Sequence, residues 1–131
     1  MTPSPPPPER RAIAVTLGDP RGIGPEVAFR AVEKLARETA AACFVFVGPG
    51  ELLRHVPPPH RTIPVGGGDG TEAGAGRVSA LAIEEAVRRA QAGEVGAVVT
   101  APVHKPALHR AGCRVPGPTE LLRDLTGAPA V

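Results

Sequence analysis

Apolar residues fall along the chain in two rhythms. Short, nearly unbroken apolar runs at 12–17 (AIAVTL), 43–47 (CFVFV) and 95–100 (VGAVVT) are rich in β-branched residues. They predict three buried strands, with a weaker strand candidate at 62–65. Helical spacing takes over between them. Val27, Ala28, Ala31, Val32 and Leu35 form one stripe opposite Arg30, Glu33, Lys34 and Arg37, so a helix is predicted over 25–39. Pro25 and Glu26 suit its first turn. A second amphipathic helix is predicted over 78–92. Its stripe is Leu81, Ala82, Ala86 and Val87, with Glu84, Glu85, Arg88 and Arg89 largely outside and Gly93 just past the end. Short helices are predicted at 105–111 and 119–125. The alternation of strand and helix, with strands apolar on both faces, predicts an α/β layer around a parallel sheet.

Two stretches break the rhythm. Residues 1–11 (MTPSPPPPERR) read as an unstructured proline-rich tail, since consecutive prolines cannot enter a helix or a central strand. Residues 48–77 hold Pro57-Pro58-Pro59 and Gly66-Gly67-Gly68 and read as the least ordered part of the fold. At the far end Gly127-Ala128-Pro129 resembles a turn, and Ala130-Val131 resembles the start of another strand. The expectation is therefore a tail followed by 12–131 as part of a truncated α/β domain.

Composition narrows the class. The chain has 131 residues, 42% of them hydrophobic, and its aromatics are three Phe, so the core must be built from small and branched aliphatics. A net charge of +2, with no Lys/Arg run longer than two, gives no footprint for nucleic acid. No apolar run approaches a membrane span. Cys43 and Cys113 fit neither a disulfide framework nor zinc spacing and read as reduced thiols of a cytoplasmic protein.

Four constellations could carry chemistry. GDPRGIGPE (18–26) joins a strand's carboxyl end to a helix start, where open α/β sheets bind ligands; a tight structural turn accounts for it equally well. GDGTEA (68–73) formally matches a dinucleotide fingerprint. No convincing strand precedes it and no helix is predicted to start within it, so it reads as a loop. TAPVHK (100–105) also follows a strand, and His104 and Lys105 could meet a phosphate or carboxylate there. PGPTE (116–120) offers Thr119 either as a helix cap or as a ligand hydroxyl. His55, His60 and His109 lack metal-ligand spacing and read as surface residues.

Taken together, three of these motifs resemble one family. IAVTLGDPRGIGPE (13–26), VVTAPVHK (98–105) with AG at 111–112, and PGPTELL (116–122) are similar, in order and approximate spacing, to 4-hydroxythreonine-4-phosphate dehydrogenase of vitamin B6 synthesis. The resemblance covers about 12–131 and the N-terminal part of the family's chain. It implies a fold like isocitrate and isopropylmalate dehydrogenases, with two α/β domains and a homodimer. It also implies NAD- or NADP-dependent oxidation of 4-hydroxy-L-threonine phosphate followed by decarboxylation. A divalent metal (Zn, Mg or Co) assists by polarising the hydroxyl.

Site residues carry over only where they match. The resemblance implies substrate-binding roles for Thr119, Lys105, His104 and Asp19. The family's histidine before that threonine is replaced by Pro118, which puts substrate contact at that position in doubt. Metal ligands and most NAD-holding groups are expected beyond residue 131, no catalytic group is expected within it, and these residues alone are expected to be inactive. Two other readings fit the same motifs: a paralogue acting on threonate or erythronate 4-phosphate, or a non-catalytic module that binds a phosphorylated metabolite or pairs with a dehydrogenase subunit.

Overall fold

The computed structural model describes residues 12–38, 43–57, 59–66, 69–114 and 116–128. The expected tail at 1–11 and the strand start at 130–131 lie outside them. The element order is β1 (Ile13–Thr16), α1 (Gly24–Glu38), β2 (Phe44–Pro49), α2 (Gly50–Leu53), β3 (Arg61–Val65), α3 (Glu72–Gln91), β4 (Ala97–Thr100), α4 (Lys105–Arg110) and α5 (Pro118–Thr126). The four strands form one parallel sheet in the order β3-β2-β1-β4.

Alternation along β1 and β2 divides the core between the two sheet faces. Val15, Leu17, Phe44 and Phe46 point to the α1 side and meet Ala28, Val32 and Leu53. Ala12, Ala14, Val45 and Val47 point to the other side and meet Ala82 and Ala86 of α3. Both faces are thus covered by helices, as a parallel sheet demands. Phe46 is the largest fully buried side chain, its ring 5.2 Å from that of Phe29 at a 51° tilt. Burial of such a ring stabilises by about 1.5–3 kcal/mol. A third cluster joins Ile83 and Val87 of α3 to Leu121 of α5.

Several expectations need correction. α2 falls within 48–77, while β3 coincides with the strand candidate at 62–65, and α3 begins at Glu72, six residues before the predicted residue 78. Gly74 and Gly76 lower the helix propensity there, while Thr71 caps the helix by accepting the Gly74 N–H at 3.0 Å. The core stripe of α3 is Val78, Ala82, Ile83, Ala86 and Val87, and Leu81 is exposed. β4, predicted as a buried strand, lies at the sheet edge with Val99 half exposed. On α1 only Ala28 and Val32 of the predicted stripe are buried. Val27 and Leu35 stay exposed and, with Ile13, Ala31 and Val99, line an apolar groove of about 420 Å³ that runs to Pro102. His60 is not a surface residue: its Nδ1 accepts the Phe44 N–H at 3.4 Å, and its ring meets Phe44 and Phe46 edge-on. No helix among the described residues is long and apolar enough to cross a membrane.

Candidate functional site

All strands run the same way, so the loops after β1 and β4, which are adjacent strands, share the carboxyl edge of the sheet. This is the edge at which open α/β sheets take ligands. The two loops are joined. Ala101 N–H donates to the Thr16 carbonyl at 3.0 Å, and Asp19 N–H to the Pro102 carbonyl at 3.4 Å. Gly18 makes the approach possible: its φ is +74°, and a side chain there would overlap the Pro102 carbonyl.

Asp19 is almost wholly buried. Its Oδ1 accepts the Arg21 N–H at 2.8 Å and lies 3.6 Å from the Arg21 guanidinium. This local closure is an Asx-type turn, and it holds the glycine loop in shape. At the strand end beside it, Thr16 Oγ1 is completely buried and has no hydrogen-bond partner among the described residues.

Lys105 and the 116–120 motif also meet. The Lys105 stem lies across Gly117, with Cε 3.2 Å from where a side chain would begin, and Glu120 flanks the same spot at 3.5 Å. Gly117 is the N-cap of α5, Pro118 occupies the first turn, and Thr119 stands beside it, exposed. The helix therefore starts before Thr119, which does not cap it, and no side chain caps it at all. The Lys105 stem and the Glu120 carboxylate both lie against the start of α5, so an anion arriving at its first turn would meet the lysine cation but also face Glu120. Proline is at home at this position because its missing N–H would be unpaired anyway. It brings no side-chain donor.

His104 is half exposed and sits at the N-cap of α4. Its Nδ1 is 3.5 Å from Glu72 Oε1, and Glu72 Oε2 is 3.0 Å from Arg110 Nε at the other end of the same helix. The structure thus links the 18–26 loop to the 100–105 loop, and Lys105 to the Thr119 segment.

The GDGTEA stretch needs its own correction. β3 precedes it and α3 starts inside it. The helix start is nevertheless occupied by the chain itself. Asp69 Oδ1 accepts the Thr71 N–H at 2.9 Å and also its hydroxyl, and Thr71 Oγ1 takes the Gly74 N–H. The Thr71 hydroxyl holds the Asp69 carboxyl below the usual carboxylate range. An anionic Asp69 at the turn disfavours a diphosphate. Among the described residues no group of three His, Cys, Asp or Glu side chains is placed to hold a metal ion, so this part of the protein does not fit the metal that the resemblance implies.

Fold and edge together define a parallel α/β segment with two joined loops at the carboxyl edge of its sheet. A 4-hydroxythreonine-4-phosphate dehydrogenase from Klebsiella pneumoniae has the same arrangement, with a TM-score of 0.76 and 33% identity over 89% of this chain and 45% of that one. The chain belongs to the PdxA family: the model of the Pyridoxal phosphate biosynthetic protein PdxA matches residues 26–131. Among its relatives, the 4-hydroxythreonine-4-phosphate dehydrogenase of Thermosynechococcus vestitus is 34% identical over 88% of this chain and 39% of its own. The D-threonate 4-phosphate dehydrogenase of Pectobacterium atrosepticum is 34% identical over 90% and 45%. The chain therefore spans less than half the length of the relatives it matches.

Proposed function

We propose that these residues form the phosphate-facing part of an oxidoreductase that handles 4-hydroxy-L-threonine phosphate in pyridoxal phosphate synthesis. The observation that carries this is Lys105 lying across the start of α5 at the carboxyl edge of the sheet. The Lys105 ammonium and the first-turn N–H groups of α5 receive the phosphate, and the Thr119 hydroxyl donates to the substrate. Pro118 leaves that position without an imidazole, so recognition there falls to Thr119. In this reading NAD or NADP and the divalent metal are held by parts of the longer relatives that this chain does not span, and the whole protein is a cytoplasmic homodimer.

A second reading takes D-threonate 4-phosphate, or a similar four-carbon sugar-acid phosphate, as substrate. Pro118 favours it, because a ligand without the amino group need not satisfy the same contacts. Titrating either phosphate into 15N-labelled protein tests both. The expected result is amide shifts confined to 18–24, 101–105 and 117–121, with the stronger ligand identifying the substrate class. Shifts elsewhere, or none at millimolar ligand, would remove the proposal.

A further inference from the structure

α4 is six residues long, too short to hold its own place, yet it carries His104 at its N-cap and Lys105 as its first residue. Its place is set by one face of α3. Gly76 is fully buried against it, and a methyl group at 76 would overlap the Ala107 carbonyl and stand 2.9 Å from Leu108 N. Ala107 and Leu108 are themselves buried in this contact. One turn earlier on the same face, Glu72 reaches both ends of α4, His104 and Arg110. The glycine admits the backbone, and the carboxylate fixes the rotation about it.

We propose that Gly76 and Glu72 are positioning residues for the site: together they form the seat that sets where His104 and Lys105 stand relative to the start of α5. The inference rests on the functional reading above for its consequence, but not for its geometry. A helix-interior glycine lowers helix stability, and here the close approach to Ala107 explains it. A displacement of about 1 Å in a binding group can lower affinity or rate by up to about 100-fold. Glu72 acts through exposed partners, so its share is smaller, about three-fold.

The test uses the full chain with Gly76→Ala and Glu72→Gln, read by amide and imidazole NMR and by titration with 4-hydroxy-L-threonine 4-phosphate. Gly76→Ala is expected to shift the His104 and Lys105 signals and to weaken binding at least ten-fold at temperatures where the variant is folded. Glu72→Gln is expected to shift the His104 imidazole signals, to weaken binding about three-fold, and to leave the Gly76, Ala107 and Leu108 amides in place. That pattern is one a general loss of packing would not produce. A folded Gly76→Ala with unmoved His104 and Lys105 signals overturns the proposal, as does a Glu72→Gln in which the His104 imidazole does not respond. Should Gly76→Ala not fold, Glu72→Gln decides alone. If the parent chain binds no phosphate, the functional reading fails while the NMR shifts still settle the seat.

Discussion

The two faces of the sheet solve the same problem differently. On the α3 face, alanines at 82 and 86 let the helix lie close against Val45 and Val47, and all four are buried. On the α1 face the sheet presents the larger Phe44 and Phe46. There the helix touches through Ala28 and Val32 and leaves Val27, Leu35 and Val99 lining an open groove. Small-on-branched packing closes the centre of one face, between Ala82, Ala86, Val45 and Val47. Large-on-small packing leaves room on the other, at 44%, 42% and 52% exposure for those three side chains. A site built on this scaffold inherits firm support from the α3 side.

The largest difference between the two faces is expected at Phe46. Replacing it with Ala should cost about 3–5 kcal/mol in chemical denaturation, because its neighbours cannot collapse into so large a hole. Overpacking separates the faces next. Ala82→Leu should destabilise by about 1–3 kcal/mol, whereas Ala31→Leu, in the groove, should stay within about 0.5 kcal/mol. Equal costs for the two would mean that the faces do not differ as described. Thr16→Val comes next, in the opposite direction. Removing an unpaired buried hydroxyl with a near-isosteric side chain should stabilise by about 1 kcal/mol, seen as a raised midpoint.

The smallest effect is electrostatic and lies on α3. Hydrogen bonds from Arg88 and Arg89 hold the Glu85 carboxyl at about 2, below its ordinary 4.5. A depressed carboxylate stabilises the fold above its unfolded value and loses that contribution as pH falls. Its share is therefore full above about pH 4.5 and fades toward pH 2. With Arg88 largely exposed, solvent screening holds it below about 1 kcal/mol. Glu85→Gln should flatten the stability profile across that window, and added salt should shrink the difference.

The strands at 12–17 and 43–47 and the helix at 25–39 are legible in the sequence because apolar runs and apolar spacing carry them. The start of α3 is not, since Gly74 and Gly76 weaken its helical pattern, and only their close contacts, Gly74 with Asp69 and Gly76 with Ala107, explain why they are there. The edge placement of β4 is also hidden, because VGAVVT is as apolar as a central strand. At the site, the motifs at 18–26, 100–105 and 116–122 could be picked out. Their joining could not: the Gly18–Pro102 contact depends on strand order, and the Lys105–Gly117 contact on how the chain turns between α4 and α5. Glu72 lies in the GDGTEA stretch that reads as a loop, and nothing in the sequence shows that it reaches α4.

Lys105, with its stem over the start of α5, is the residue proposed to receive the phosphate of the substrate. Calorimetric titration of 4-hydroxy-L-threonine 4-phosphate into the parent protein and Lys105→Met tests that role most directly. At least a ten-fold loss of affinity with an unchanged Tm is the predicted result. Equal affinity in the two proteins would contradict the account.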